Sequence, residues 1–428
     1  MIDIKIIREN PELVKENIKK KFQNEKLPLV DKIVNKDKEW RKLKIQIDNL
    51  RAERNKVSRE IAEAKKKQDK KIEKELMKKA KEIPDKIARS EEKSKKLQME
   101  INEIMLQIPN IISKETPIGK DESENKVLRN VGEKRKFDFN VKNHVELLEE
   151  LSLADFDASA KVSGNGFYYL KKELALLNQA LIRFAIDFMH KKGYEYIETP
   201  LMLKKNALYA SMDKKAIADS VYEINDYDLG LIGTAEQSLL AMHAGEAIPF
   251  NELPKKYFSY SICFRKEIGS HGINEKGLWR THQFNKVEQF IFCKPEDSEK
   301  YYDELLKNSE EIMKALKLPY RVVEMCSGAL SDWKYRSADI EVYRPTSKDY
   351  GEVGSLSNCT DYQARKLGIK FIDKNNNRIV LHTLNNTALA TSRIMVAILE
   401  NYQQKNGSIK IPDVLVPYMN GEKVIGKK

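Results

Sequence analysis

The chain has 428 residues, with 77 Lys+Arg against 65 Asp+Glu, long enough for two or three domains that each bury a core. Its first residues, MIDIKIIREN, lack the apolar run of a secretion signal, and no run of about 18 uncharged apolar residues occurs, so a cytoplasmic protein with no membrane partner is expected. Cys263, Cys293, Cys326 and Cys359 form no C-x-x-C pair and the six histidines are scattered, which argues against zinc and against a disulfide scaffold.

Charge is concentrated at the start. Residues 1–110 hold 31 Lys+Arg and 21 Asp+Glu, whereas the rest hold 46 and 44. A basic segment joined to a near-neutral body suits a polyanion-binding appendage on an enzyme. The plainer alternative is a solvated helical surface, and charge by itself does not separate the two.

Periodicity gives this segment a shape. Trp40, Leu43, Ile47, Leu50, Val57, Ile61 and Ala64 follow a 3,4 spacing, with Arg54 at one seam position. After KKKQDKK (65–71) the pattern resumes at Ile72, Leu76, Ala80, Ile83 and Ile87, weakens at Ser90 and Ser94, and returns at Leu97, Ile101, Ile104 and Ile108. Two such stretches around a polar break predict an antiparallel coiled-coil hairpin with helices about 50 Å long. Leu43 and Met105 are expected to face each other near its base, and Pro84 to kink the second helix. Pro109 closes this domain, 1–110, and the polar stretch 111–140 reads as a linker.

From 141 to 428, helical and β-branched runs interleave as in an α+β domain. KELALLNQALIRFAIDFMHKKGYEYIETP (172–200) reads as an apolar helix, a stop at Gly193 and a strand. Familiar phosphate cradles fail. Gly164-Asn-Gly166 has Tyr169 where a dinucleotide fingerprint needs its third glycine, and Gly272 and Gly277 are followed by Leu278-Trp279 instead of Lys-Ser/Thr. A nucleotide held here must be held by side chains.

Four further stretches answer that requirement together: LIGTAEQSL (231–239), FRKE…GLWRTHQFNKVEQF (264–290), YGEVGSLSNCTDYQARK (350–366) and LHTLNNTALATSRIMVAILENYQ (381–403). In this order and spacing they resemble the active-site motifs of class II aminoacyl-tRNA synthetases, in particular seryl-tRNA synthetases, and the resemblance covers nearly the whole chain. It implies an antiparallel sheet of six to eight strands flanked by helices, with the N-terminal coiled-coil arm attached. It also implies a homodimer formed through the 172–200 region, with the arm acting across subunits.

The implied reaction is serine plus ATP giving seryl-adenylate and pyrophosphate, then transfer of serine to the 3′ end of tRNA(Ser), with tRNA(Sec) as an open second acceptor. The serine carboxylate is ionised at neutral pH, so no general base is required. The task is to bring one anion to another and to stabilise the charge that develops, which suits arginine's fixed planar charge. By resemblance Arg265 takes the α-phosphate and the substrate carboxylate, Arg280 the γ-phosphate, and Glu267 the adenine amino group, while Phe284 and Arg393 sandwich the adenine. Arg265 and Arg393 are the expected catalytic pair. Lys266, Thr281, His282, Gln283, Val353 and Gly354 complete the ATP site, and Glu352 and Ser355 hold Mg²⁺ beside the phosphates. Thr234, Ala235 and Glu236 resemble the serine-ammonium site, with Glu288, Asn385 and Thr387 about the hydroxyl. Near the arm tip, Arg51, Arg54, Arg59, Lys65, Lys66, Lys67, Lys70 and Lys71 are expected to meet the long variable arm of the tRNA.

Each residue alone has a plainer reading. Arg265 and Glu267 would alternate on a strand as a surface ion pair; Thr234 would cap a helix; Glu288 would sit on a strand surface; His282 and His382 would be structural. Two rival functions follow from the same motifs: a paralogue that charges a carrier protein, and a catalytically silent coiled-coil RNA-binding protein. Retention of the arm speaks against the first, and Arg265, Glu267, Glu352 and Arg393 together speak against the second.

Overall fold

The computed structural model describes residues 1–268 and 276–426, with Lys214 described in its backbone alone. Gly272 lies outside the described residues. The chain divides into two compact units: Ile2–Lys19 with Gln23–Pro109, and Met1 and Lys20–Phe22 with the chain from Asn110 onward.

In the first unit, α1 (Leu27–Lys66) and α2 (Lys70–Met105) form an antiparallel hairpin. The long helix runs about 60 Å at the usual rise per residue. Burial follows the seam: Leu43, Ile47, Val57 and Ala64 from α1 and Ile83, Ile87, Leu97 and Ile101 from α2. Two seam positions depart from the pattern, since Ile72 is half-exposed and Arg54 points to solvent. Gln68 takes a positive φ of 57° in the turn, and Asp69 caps α2 by accepting from the Ile72 N–H at 3.1 Å. Helix α2 runs unbroken through Pro84.

The stagger corrects one expectation. Ion pairs Lys36–Glu100, Glu39–Lys93 (2.9 Å) and Arg51–Glu91 (2.7 Å) bring Leu43 level with the Ser94 region, not with Met105. The 3,4 period fixes which face is buried. It leaves the slide of one helix along the other to the turn and to these cross-links.

The second unit is built on an eight-stranded sheet. Its strands in chain order are β1 (Lys126–Val131), β2 (Glu195–Tyr196), β3 (Lys255–Phe264), β4 (Gln283–Cys293), β5 (Tyr320–Glu324), β6 (Arg336–Arg344), β7 (Asp349–Thr360) and β8 (His382–Ala390). The spatial order is β1-β5-β6-β7-β8-β4-β3-β2, antiparallel throughout except for β2 beside β3. The 111–140 segment is therefore more than a linker, because it contributes the edge strand β1, paired with β5. Near Pro200 the expected strand shrinks to the two residues of β2; Gly193, with φ 80°, ends the preceding helix as expected.

Three helices cover one face of the sheet: α3 (Lys172–Lys191), α4 (Ser298–Ala315) and α5 (Thr391–Tyr402). Side chains alternate faces along a strand, and here alternation separates packing from chemistry. On β4, Val287, Ile291 and Cys293 join the helix-side core. Between them Gln289 donates to the Leu305 carbonyl and to Ser309 of α4, and Asn386 of β8 does the same at 2.7 and 2.8 Å. The interleaved residues Phe284, Lys286 and Glu288, with Asn385 and Thr387 of β8, face a cavity on the other side.

Candidate active site

The cavity has a volume of about 330 Å³ and lies on the open face of β4, β6, β7 and β8. Its floor depends on register. A bulge between Val287 and Glu288 sets Glu288 opposite Thr387, and β7 brings Ser357 opposite Asn385. Gly354 lies against Thr387, where an added Cβ would sit 3.3 Å from the threonine Cβ.

Two carboxylates, Glu288 fully buried and Glu236 partly so, share one amide. Asn385 donates through Nδ2 to Glu236 Oε2 and to Glu288 Oε1, both at 3.0 Å, which leaves its own Oδ1 buried with no partner. Glu236 also accepts from Gln363 at 2.7 Å. Burial, and then the neighbouring Glu288, raise the pKa of Glu236. Glu288 is fully buried, 2.7 Å from the Lys286 ammonium and 3.4 Å from the Thr387 hydroxyl. The plainer reading of Glu288 as a strand-surface residue is thus excluded. With two carboxylates drawing on one amide and the Asn385 Oδ1 left over, this part of the cavity holds more acceptor sites than its Asn385, Gln363, Lys286 and Thr387 donors fill. It therefore suits a small molecule that brings an ammonium and a hydroxyl.

Thr234 is both a cap and a wall. It is the N-cap of the short helix Ala235–Ala241, accepting from the Glu236 N–H at 3.3 Å, and it lines the cavity. Ala235 is buried in that helix and is absent from the lining.

Beyond β3 the chain leaves the sheet. Arg265, Lys266 and Glu267 are loop residues, which removes the plainer reading of Arg265 and Glu267 as a strand ion pair, because β3 stops at Phe264. Glu267 takes φ 52°, a conformation a glutamate adopts at a cost. Arg265 donates through Nε to the Gly233 carbonyl at 3.2 Å and sets its guanidinium 5.3 Å from the Phe284 ring. Arg280 reaches Glu267 at 2.6 Å. Thr281 and Phe284 line the cavity, whereas Lys266, Arg280, His282 and Gln283 do not. His282 instead braces the loop, with Nδ1 2.9 Å from the Arg265 carbonyl and 3.1 Å from the Tyr222 hydroxyl. His382 lies 3.1 Å from the Ser298 hydroxyl, and burial lowers its pKa to about 4.

Arg393, in the first turn of α5, joins three elements. It donates to the Glu352 carbonyl at 2.7 Å, to the Glu352 carboxylate at 3.0 Å and to the Trp279 carbonyl at 3.3 Å. The aromatic ring facing it is Trp279, at 5.4 Å, while Phe284 faces Arg265. Although burial opposes it, Arg393 carries the Glu352 carboxyl below its ordinary range. Val353, Gly354 and Ser355 continue the wall along β7.

Eleven lining residues escaped the sequence reading, among them Trp279, Lys286, Lys334 and Asp339. Lys286 had a signal, since F-x-K-x-E at 284–288 places all three on one strand face. Lys334 and Asp339 reach the cavity through the pairing of β6 with β7, which sets Asp339 opposite Ser355. Burial and the Glu352 charge push the Asp339 carboxyl up to about 7.

On the arm, Arg51, Arg54, Arg59, Lys65, Lys66, Lys67, Lys70 and Lys71 are all exposed, and the five lysines flank the turn between α1 and α2. Two are partly engaged, Arg51 with Glu91 and Lys65 with Glu73 at 3.8 Å. Among the described residues no helix is long and apolar enough to cross a membrane.

Comparison with known proteins adds the following. Residues 1–112 match the model of the seryl-tRNA synthetase N-terminal domain, and residues 220–402 that of the tRNA synthetase class II core domain (G, H, P, S and T). The serine–tRNA ligase of Methanocella arvoryzae is 43% identical over 423 residues, 98% of this chain and 99% of that protein. The crystal structure of seryl-tRNA synthetase from Pyrococcus horikoshii complexed with ATP aligns over 100% of both chains with a TM-score of 0.95 and 41% identity. The cytoplasmic enzyme of Naegleria fowleri in complex with AMP aligns over 100% of this chain and 99% of its own, with a TM-score of 0.89 and 34% identity.

Proposed function

Since this chain belongs to the seryl-tRNA synthetase family, we propose that its β-sheet cavity joins serine to ATP as seryl-adenylate and then passes the serine to the 3′ end of tRNA(Ser). The observation that carries this reading is the shared amide, with Asn385 bridging the Glu236 and Glu288 carboxylates at 3.0 Å beside the Arg265 guanidinium.

Serine supplies donors for the acceptor sites that pocket leaves open. Its ammonium meets Glu236 and the Thr234 hydroxyl, and its hydroxyl donates to Glu288 with Thr387 alongside. An analogue without the hydroxyl strands a buried carboxylate and loses binding, which is how such a site selects. Arg265 draws the substrate carboxylate and the α-phosphate together and stabilises the charge that builds up as the P–O bond to pyrophosphate breaks. Adenine lies toward Phe284 and Arg393, and Glu267 accepts from its amino group. Arg280 is paired with Glu267 in this structure, so nucleotide entry exchanges that pair for contacts to adenine and the γ-phosphate.

Magnesium fits as a partner of the nucleotide. Glu352 and Ser355 offer one carboxylate and one hydroxyl. Among the described residues no cluster of three or more His, Cys, Asp or Glu could hold a metal by itself, a donor set suited to an ion that keeps most of its ligands from phosphate and water. Bound there, Mg²⁺ would neutralise phosphate charge; Glu352 is kept ionised for it by Arg393.

The exposed lysines around the α1–α2 turn provide a phosphate-binding surface for the long variable arm of tRNA(Ser), and in a homodimer the arm serves the partner's active site. A cytoplasmic location accords with these substrates. Serine-dependent ATP–pyrophosphate exchange, run beside threonine and alanine, tests the reading: exchange with serine alone supports it, and equal exchange with alanine contradicts it.

A further inference from the structure

Two cations of the cavity, Lys286 and Lys334, have no part in the mechanism above. Lys334 lies just before β6 and lines the same space as Arg265 and Glu352. The four cations of that lining are not equivalent. Lys286 is committed to Glu288 at 2.7 Å, and Arg393 to Glu352 at 3.0 Å. Arg265 rests on the Phe284 ring with only Nε engaged, on a backbone carbonyl. Lys334 makes no ion pair among the described residues. Its ammonium donates to the Ser337 hydroxyl at 3.1 Å and to the Ser355 hydroxyl at 3.4 Å.

Two long bonds to neutral acceptors leave one N–H open, while the carboxyls of Asp339 and Glu352 act on the ammonium only from beyond ion-pair distance. The ammonium is partly withdrawn from water by the lining of the cavity, so an incoming anion meets a cation with a donor to spare. The acceptor it leans on, Ser355, is also the hydroxyl assigned to the magnesium site. Lys334 therefore stands where the phosphate chain must pass. The Glu352 carboxylate on that wall, joined by Asp339 once it ionises, would repel the chain in the absence of a countercharge.

We propose that Lys334 is a ligand of the ATP phosphate chain, its ammonium meeting the phosphates on the Ser355 side of the cavity and sharing with magnesium the neutralisation of the departing pyrophosphate. This rests on the cavity being the nucleotide site, as proposed above. Lysine acts here as a point charge, so position matters more than fork geometry. The competing role is structural, with Lys334 doing no more than fixing the Ser355 hydroxyl.

The two roles part in binding measurements on the full-length protein. Lys334→Met and Lys334→Arg would be titrated with ATP and with adenosine by calorimetry, in EDTA and in excess Mg²⁺. Lys334→Met should weaken ATP about tenfold in EDTA, the worth of one charge-assisted contact, while adenosine affinity stays within about twofold. Excess Mg²⁺ should narrow the ATP loss, and Lys334→Arg should restore most of it. In pyrophosphate exchange, the Mg²⁺ concentration giving half-maximal rate should rise several-fold in Lys334→Met. Unchanged ATP affinity in a folded Lys334→Met protein, or a parallel loss of ATP and adenosine, would overturn the assignment. Failure of the unsubstituted protein to bind adenosine would instead overturn the nucleotide reading beneath it.

Discussion

The two units of this protein use charge in opposite ways. Toward the tip of the arm, basic side chains stand exposed, and most of those around the turn make no ion pair among the described residues. The hairpin seam is largely apolar, with Ser94 intruding and Asp37 buried between Arg8 and Arg41 nearer the base. In the cavity, Lys286, Glu288, Glu236 and Arg393 are paired and aimed, with Lys286 and Glu288 buried and the other two partly so. A surface cation in water contributes about 1 kcal/mol or less to any one contact and is replaceable by its neighbour. A buried, hydrogen-bonded ion distinguishes one substrate atom from another, because a missing partner leaves it stranded. The arm is accordingly suited to recognising a large polyanion by shape and summed charge, and the cavity to recognising one hydroxyl and one ammonium.

That contrast is broken most severely at Arg265. Arg265→Ala should lower serine-dependent pyrophosphate exchange by on the order of 10³-fold with the fold intact, because this guanidinium packs against little beyond one ring and one carbonyl. Near-normal exchange in a folded variant would show that the charge acts elsewhere.

The hydroxyl pocket comes next. Glu288→Gln and Thr387→Ala should raise the KM for serine about tenfold or more, with the KM for ATP changing little. Equal shifts for both substrates would move the pocket away from Glu288 and Thr387.

Neutralising the arm tip should have a gentler effect. Lys65, Lys66 and Lys67 changed together to Gln should leave exchange untouched and weaken aminoacylation several-fold at low salt. The slope of log affinity for tRNA against log salt should flatten by about one to two units. An unchanged slope would mean that these lysines face no phosphate.

The smallest effect concerns stability alone. An unfolded aspartate ionises near 3.8, whereas the Asp339 carboxyl is pushed up to about 7. Across that window the folded state keeps a proton that the unfolded state has released, so stability falls as pH rises from the lower value to the upper. Asp339→Asn removes the loss. Thermal melts without nucleotide should show the variant gaining about 2 kcal/mol on the parent between about pH 5 and about pH 8; parallel curves would contradict this.

The same contrast explains what was legible in the sequence. A heptad seam is a local pattern, so Leu43, Ile47, Val57, Ile83, Ile87, Leu97 and Ile101 could be assigned to the buried face directly. The stagger is not local, and Leu43 was accordingly matched to the wrong partner on α2. In the body, the motif blocks named Arg265, Glu267, Glu288, Glu352, Asn385, Thr387 and Arg393, all of which line the cavity. Motif membership also swept in Lys266, Arg280, His282 and Gln283, which the loop geometry turns away from it in this structure. Lys334 and Asp339 belong to no motif block; only the β6–β7 register brings them beside Ser355. Trp279 was visible as part of GLWRTHQF, but its place between Arg344 and Arg393, over Gly351, required the fold.

The central claim is that chemistry resides in the body and acceptor recognition in the arm, and shortening the arm tests it most directly. The ion-pair register puts the matched cut at residues 45–92, replaced by a short Gly/Ser turn so that Glu39 and Lys93 stay paired. In this protein, serine-dependent pyrophosphate exchange should stay within about threefold of the parent, while aminoacylation of tRNA(Ser) falls by two or more orders of magnitude, because delivery of the acceptor depends on that positioning. Normal charging by the shortened protein, or loss of both activities together in a folded one, would contradict the division of labour.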